Sequence, residues 1–211
     1  MITIEITGVD AARHAFSSTT VDNAMRSTLN KLAAQAATVV SKKIRETYNI
    51  KARDLNTAIK VVKARSIEAG SQLIAAGPRL PLIYFDAQET IINGSTAIIS
   101  RRKSGGLASR SVRKGNKKRG VTVKVLNAGG RKFVQGPNHF GGFFVGVGGS
   151  HQIFMRSRAS QFPIEKRAGP AVAQMLGKHT DIVRQFVISE SARIFSSELD
   201  FYASQAANRG L

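Results

Sequence analysis

The sequence predicts an α+β fold in which long N-terminal and C-terminal helices flank a small antiparallel β-sheet or sandwich with a basic loop insertion. Apolar residues recur every three or four positions near both ends of the chain, and β-branched runs of alternating polarity fill its middle. A glycine-rich and serine-rich stretch crowded with Lys and Arg interrupts those runs. Because 42% of the 211 residues are hydrophobic, we expect one domain over residues 1–211 with a core of its own.

The N-terminal quarter of the chain is predicted to be mainly helical. A short strand is expected at residues 2–6, ITIEI, where Ile alternates with polar residues. A long helix is expected over residues 20–48, because the apolar residues from Val21 to Tyr48 recur in steps of three and four. Asp22 lies in the first turn, where an acid interacts favourably with the helix dipole. A second, short helix is expected at residues 51–59.

The sheet region is predicted over residues 59–156. The β-branched runs 59–67 and 71–77 flank a Glu-Ala-Gly turn and therefore predict an antiparallel hairpin. Further strands are expected in the apolar run 80–87, in the alternating run VTVKVL at 121–126, in the glycine-rich stretch 139–149 and at 152–156. Helical spacing returns over residues 170–206, which predicts the C-terminal helical region.

The basic loop of residues 100–120 holds a large part of the positive charge. The chain has 32 Lys and Arg against 13 Asp and Glu, a net charge of +19, and residues 90–164 contain no acid. Such a loop displaces counterions from a nucleic-acid backbone, so we expect phosphate contact without sequence readout. The alternative is a solvated loop that aids solubility. The candidate DNA-facing residues are Arg101, Arg102, Lys103, Arg110, Arg113, Lys114, Lys117, Lys118 and Arg119.

The sequence contains little that supports catalysis. It has no Cys, which excludes disulfides, thiolate nucleophiles and Cys-ligated zinc, and its four His residues are far apart. Asp86 and Glu89 form the only local acid pair in the middle of the chain, and no phosphate-binding glycine motif is present. We therefore predict no catalytic, metal or cofactor site and no small-molecule substrate. No run of about 20 apolar residues predicts a membrane span, and the acidic N-terminus is unlike a signal peptide, so we expect a soluble protein that is made and used on the cytoplasmic side.

Several stretches in one order resemble the phage minor tail protein Z family, the tail-completion proteins of long-tailed phages. The most specific are LPLI after the hairpin and the pattern P-I-x4-G-P-x4-M at 163–175. The full set is NAMRSTLNKLAAQAA, RETYNIKARDLNTAIKVVKA, GPRLPLIYFDA, the block from RRKSGG to GNKKRGVTVKVL, HQIFMR and FPIEKRAGPAVAQML. Short strings recur by chance, but their shared order over most of the chain supports the resemblance.

The resemblance implies a non-catalytic virion protein of the head-proximal end of the tail, the neck, where tail joins head. It implies a homo-oligomeric ring, hexameric by analogy with other tail-tube components, with the tail terminator and the head-tail connector as neighbours. A ring that passes genome DNA needs a lining that contacts the DNA backbone without reading its sequence, and the basic loop can supply one. An outward loop that docks on an acidic neighbour is the alternative placement.

The two long apolar stripes supply candidate subunit contacts, because they exceed what a small sheet can cover. The candidates are Val21, Met25, Leu29, Leu32, Val39, Ile182, Phe186, Phe195 and Leu199. Packing within the chain is the equally weighted alternative. Two further hypotheses about function stay open, namely a sequence-nonspecific nucleic-acid-binding protein acting free in the cytoplasm and a metal-dependent nuclease that uses Asp86 and Glu89.

Overall fold

The computed structural model of the chain describes residues 9–92, 100–101, 107–108, 118–134, 142–147, 150–156 and 163–208. The strand predicted at residues 2–6 lies outside these ranges. The helices are α1 (Val9–Ala15), α2 (Ser18–Thr47), α3 (Ala52–Asn56), α4 (Val172–Gly177) and α5 (Thr180–Asn208). The strands are β1 (Ile59–Val62), β2 (Gln72–Ala75), β3 (Arg79–Pro81), β4 (Gln88–Ile92), β5 (Ser100–Arg101), β6 (Leu107–Ala108), β7 (Lys118–Val123), β8 (Lys132–Phe133), β9 (Phe143–Val147), β10 (Ser150–Arg156), β11 (Ile164–Lys166) and β12 (Ala168–Ala171). This arrangement confirms the predicted α+β class.

The chain divides into two compact units. Unit 1 comprises Met1–Ile44, Asn56–Ala76 and Ala173–Leu211, and unit 2 comprises Arg45–Leu55 and Gly77–Val172. The single domain over 1–211 stays a prediction, because two compact units are compatible with one folding domain or with two. None of the described helices is long and apolar enough to cross a bilayer.

Unit 1 is built on the two long helices that the sequence predicts. The helix predicted over 20–48 is α2, which begins two residues earlier, where the Ser17 side-chain oxygen accepts a hydrogen bond from the Thr20 amide at 3.4 Å. Ala12 of α1, Val21 and Ala24 of α2, and Phe195 of α5 are buried together in one apolar cluster. The amphipathic stripe of α2 is therefore covered by its own chain at its N-terminal end.

The predicted hairpin of unit 1 is present and is attached to α2 by polar side chains. β1 and β2 pair antiparallel, from Ile59 opposite Ala75 to Val62 opposite Gln72. The Asn30 side chain accepts a hydrogen bond from the Ala64 amide at 2.7 Å and donates to the Ala64 carbonyl. These bonds satisfy the backbone at the end of β1 and hold the hairpin on the helix.

Unit 2 is an antiparallel β structure. Its strands form the orders β4-β7-β8 and β11-β10-β9, together with the pairs β3-β12 and β5-β6. Backbone hydrogen bonds link the first two sheets, because the Val134 amide donates to the Val121 carbonyl at 2.8 Å and the Gly142 amide donates to the Val134 carbonyl at 2.7 Å. Phe85, Ile153 and Met155 are buried to within 1% of full coverage. The core of unit 2 is therefore formed by strand residues and the turn before β4.

Some sequence predictions in unit 2 differ from the structure. The run 80–87 is not one strand, because β3 ends at Pro81 and a short 3-10 turn at Leu82–Tyr84 follows. Leu82 and Phe85 are both buried, a spacing of three that suits such a turn and not an alternating strand. The sequence did not predict β12, because Gly-Pro is typical of a break in regular structure. In the structure, the residues of β12 pair with β3.

Candidate nucleic-acid interface

The basic segment is framed by two antiparallel pairings that nest one inside the other. β4 pairs with β7 from Gln88 opposite Thr122 to Ile92 opposite Lys118, so that paired residue numbers add to 210. β5 pairs with β6 at Ser100 opposite Ala108 and Arg101 opposite Leu107, where they add to 208. Both pairings are therefore centred within one residue of position 105. We call residues 88–122 the basic arm; its two described strand pairs are nested, and their registers differ by two residues.

The structure describes the backbone of three of the nine predicted basic residues. Arg101 lies in β5 opposite Leu107, while Lys118 and Arg119 lie in β7 opposite Ile92 and Ile91. These three positions belong to the same nested arm. The other candidates lie outside the described residues, and they are Arg102, Lys103, Arg110, Arg113, Lys114 and Lys117. Contact of the nine with DNA stays a prediction.

An ion pair anchors the base of the basic arm. Asp86 precedes β4, and its carboxylate accepts a hydrogen bond from Arg131, which precedes β8. Arg131 also donates to the Asp86 carbonyl at 2.8 Å. Asp86 has a φ of 50°, a left-handed conformation that Asp tolerates better than most residues. Arg131 therefore holds the turn that starts the arm, and the Asp86 carboxylate has a structural partner.

The two acids of the nuclease hypothesis do not form a metal site with other described residues. No described group of three or more His, Asp and Glu residues has the geometry to hold a metal ion. Asp86 is occupied by Arg131 and lies before β4, whereas Glu89 lies within that strand opposite Val121. The arrangement of the described acids thus supports a framework role for Asp86.

Asn127 is a structural residue that the sequence did not reveal. Its side-chain amide donates to the carbonyls of Arg45 at 2.7 Å and Glu46 at 3.0 Å, and its backbone amide donates to Thr47 at 3.0 Å. The last carbonyls of a helix have no partner within the helix. Asn127 thus caps the last turn of α2. The capped residues and Asn127 both belong to unit 2, although about 80 residues of sequence separate them. No local signal could have shown this.

The charge of the protein is concentrated in one unit. Unit 2 contains 20 Lys and Arg against 5 Asp and Glu, a net charge of +15, whereas unit 1 contains 12 against 8, a net charge of +4. A field of this size attracts polyanions and opposes compaction unless a counter-charge offsets it. The positive charge that could attract a polyanion is therefore concentrated in unit 2.

Unit 1 contains a shallow groove of about 340 Å³ between α2, the end of β1 and α5. Lys31 at its edge forms an ion pair with Glu198, a carboxylate that is 4% exposed. Burial raises the pKa of Glu198, but hydrogen bonds from Lys31 and Ser27 and the charge of Lys31 outweigh it, so the pKa lies below its ordinary value. The ion pair therefore joins α2 to α5 within unit 1.

The nine predicted subunit-contact residues differ in how far their own chain covers them. Val21, Leu32 and Phe195 are at most 5% exposed, and Met25 and Leu199 pack against the cluster that contains Val21. The remaining four are half-buried, and they are Leu29, Val39, Ile182 and Phe186. The half-buried residues retain surface for a neighbouring subunit. The assignment of the nine to a subunit interface stays a prediction.

Comparison with known proteins settles the family. The model of the prophage minor tail protein Z family matches residues 8–202, which include all of α2, most of α5, the basic arm and the Gly-Pro motif. The chain belongs to this family. The comparisons with curated proteins and with solved structures give no match. As a prophage minor tail protein Z, the chain is a structural component of a phage tail, is located in the tail of the virion and interacts with other tail proteins.

The structure gives a physical reason for two residues of the Gly-Pro motif, Gly169 in unit 2 and Met175 in unit 1. Gly169 lies in β12 with its α-carbon against the Phe85 ring, so that an added Cβ would lie 2.5 Å from a ring carbon. Met175 of α4 is fully buried, as is Phe85. The Gly of P-I-x4-G-P-x4-M thus provides space for an aromatic ring, and the Met at its end is a buried apolar residue.

Proposed function

We propose that this minor tail protein Z completes the head-proximal end of the tail as a closed ring, in which the basic arm of unit 2 contacts the backbone of the genome DNA. The observation that carries the proposal is the charge distribution. Unit 2 has a net charge of +15, and the nested strand pairs β4-β7 and β5-β6 frame its basic segment.

Backbone contact is the form of DNA binding that these residues support. Lys and Arg side chains that neutralise phosphates bind any sequence, and each contact lowers the slope of log K against log salt by about 0.9. The basic loop of residues 100–120 has no aromatic residue to stack on bases, and its charge alone reads no sequence. Every part of the genome moves through the tail, so a protein that contacts the moving DNA must bind it whatever its sequence.

Assembly as a ring assigns a different task to unit 1. Its net charge of +4 permits close approach of copies, whereas the +15 of unit 2 opposes it unless DNA is present. The half-buried apolar residues of α2 and α5 provide contact area, and a heterologous contact that closes on itself gives a ring. A hexamer with the tail terminator and the head-tail connector as neighbours is the specific assembly that we propose.

A charge-neutralising variant with a matched control tests the DNA contact. Arg113, Lys114 and Lys117 are changed to Gln in the basic arm, and three exposed residues of unit 1, Lys60, Lys63 and Arg65, are changed to Gln in the control. Affinity for a mixed-sequence DNA duplex is measured across a salt series. We expect the arm variant to bind more weakly, with a salt slope reduced by about 3, while the control changes little. Equal effects of both variants would contradict a specific role of the arm.

The particle mass measured in the same salt series tests the ring. Light scattering or native mass spectrometry is expected to show a ring-sized oligomer, or a monomer that becomes one when tail components are added. A stable monomer that binds duplex tightly at physiological salt and never forms a larger particle would contradict the proposal. That result would favour a nucleic-acid-binding protein acting free in the cytoplasm.

A further inference from the structure

We infer that the groove of unit 1 is a docking site for an acidic peptide segment of a neighbouring tail protein, whose carboxylates bind to Arg26, Lys31 and Lys63. The inference goes beyond the proposed DNA contact, which concerns unit 2, and depends neither on that contact nor on the ring. Arg26 and Lys31 reach the groove from α2, and Lys63 is the residue that follows β1. Tyr202 of α5 also lines the groove, so three elements of one unit form it.

The positions on α2 give the groove a length that suits a short peptide. Arg26, Asn30 and Ala34 line the groove at intervals of four residues and therefore lie on one face of the helix. At about 1.5 Å per helical residue they span about 12 Å, which is the length of about three to four residues of extended chain. The volume of about 340 Å³ lies at the small end of the range for binding sites. A short extended segment with its side chains therefore fits the groove.

The cations that line the groove are only partly compensated by the chain itself. Lys31 pairs with the buried carboxylate of Glu198. Arg26 donates to the side-chain oxygen of Asn23 at 3.1 Å, a neutral partner that leaves the guanidinium charge in place. Lys63 is exposed and has no ion-pair partner among the residues that the structure describes. Three cations against the one carboxylate of Glu198 thus leave a charge of +2 for a ligand.

The chemistry of the groove favours carboxylates over the phosphates of a nucleic acid. The pair of Lys31 and Glu198 already places a carboxylate beside this face of α2, where Ser27 also hydrogen-bonds to it. The guanidinium of Arg26 presents a fork of donors that matches a second carboxylate. A polyanion such as DNA responds to the total charge of a surface, and unit 1 has +4 against +15 in unit 2. Two uncompensated charges in a short groove therefore suit a peptide with a few acidic side chains.

A pair of double variants tests the groove. Arg26→Gln with Lys63→Gln is the groove variant, and Lys60→Gln with Arg65→Gln is the control, which removes the same charge from exposed residues of the same unit. Lys31 is kept, because its ion pair joins α2 to α5. Binding of a fluorescein-labelled hexaglutamate peptide is measured by anisotropy at about 150 mM salt. We expect the groove variant to bind about tenfold more weakly and the control less than about twofold more weakly.

Equal losses in the two variants would overturn the inference, because the peptide would then respond to net charge and not to the groove. No measurable binding of the peptide to the wild-type protein at concentrations up to about 1 mM would also overturn it.

A tryptophan in the groove gives a readout of place. The protein has no Trp, so Ala34→Trp creates a single emitting side chain in the groove, and Gln35→Trp creates one on the adjoining face of α2, about 100° around the helix. Both residues are exposed. We expect the peptide to change the emission of Ala34→Trp alone, or to bind weakly to that variant alone because the indole fills the groove. Equal emission changes, or an unchanged Ala34→Trp spectrum while the peptide is bound, would overturn the inference.

A mixed-sequence DNA duplex tests the alternative ligand. We expect the groove variant to bind duplex within about twofold of the wild type, whereas the arm variant loses duplex affinity and retains peptide binding. A groove variant that loses duplex affinity as strongly as peptide affinity would overturn the inference in favour of a nucleic-acid site. An arm variant that binds duplex normally would contradict the proposed DNA contact and leave the result for the peptide unaffected.

Discussion

The close approach of Gly169 to Phe85 makes a strong prediction about stability. An added Cβ in Gly169→Ala would lie 2.5 Å from one ring carbon and 3.2 Å from two others, whereas ordinary contacts begin at 3.4 Å, so the ring or the strand must retreat by about 0.9 Å. Phe85 is 0% exposed and cannot turn into solvent. Overpacking of this kind costs about 1–3 kcal/mol, and we expect a value in the upper half of that range.

Chemical denaturation with matched variants measures this cost. Gly146→Ala in β9 is the control, because an added Cβ there meets no atom within 4 Å, and we expect it to be neutral or to stabilise by about 0.5 kcal/mol. For a chain of this size, a cost of about 2–3 kcal/mol corresponds to a decrease in Tm of about 4–12 °C. The double variant Gly169→Ala with Phe85→Leu is expected to cost less than the sum of the single changes. Additive effects, or a cost for Gly169→Ala below about 0.5 kcal/mol, would refute the argument.

Three further substitutions test contacts within one unit each, with unfolding free energy as the measurement. Asp86→Ala is expected to cost about 1–2 kcal/mol and Asp86→Asn less than about 1 kcal/mol. Both variants lose the charge paired with Arg131, but Asn tolerates the left-handed backbone at φ 50° better than Ala does. Equal costs would contradict this explanation. Asn127→Asp is expected to destabilise the protein by about 1 kcal/mol more than Asn127→Ala does. The reason is that the carboxylate of Asp would face the carbonyl end of α2 without a proton to donate. A larger cost for Asn127→Ala than for Asn127→Asp would disprove the cap. The pKa of Glu198 in the folded protein is below its ordinary value of 4.5. The stability that the Glu198 carboxylate contributes is therefore present above about pH 4.5 and is lost as the pH falls through the folded pKa. Glu198→Gln should remove this part of the dependence of stability on acid pH, and an unchanged plot of unfolding free energy against pH would contradict the assignment.

The helices and the hairpin of unit 1 could be predicted because their information is local. The stripe from Val21 to Tyr48 sets the position of α2 to within two residues, and the β-branched runs on either side of Gly70 set the hairpin. The spacing of apolar residues along a helix or strand indicates which of its faces is buried. In α2 and in the hairpin this spacing is regular, so the buried face could be identified from the sequence. The family resemblance was likewise predictable, because it depends on the order of local motifs.

The features that could not be predicted depend on contacts between residues distant in sequence. Gly169 and Pro170 indicate a break, but β12 forms there because it pairs with β3, and the Phe85 ring leaves no space for a side chain at position 169. The cap formed by Asn127 and the clamp between Asp86 and Arg131 join residues about 80 and 45 positions apart. The nested pairings of the basic arm likewise depend on strand register, which a single sequence does not determine.

The position of this protein in the virion is the central claim of the proposed function, and a label on intact phage particles tests it most directly. Ala207 and Asn208 at the end of α5 are exposed, so a C-terminal affinity tag bound by a gold particle suits electron microscopy. The proposal predicts gold at the junction of head and tail, and the labelled particle should lose it when the tag is removed. Gold at the distal tip of the tail, or along its length, would contradict a role in tail completion.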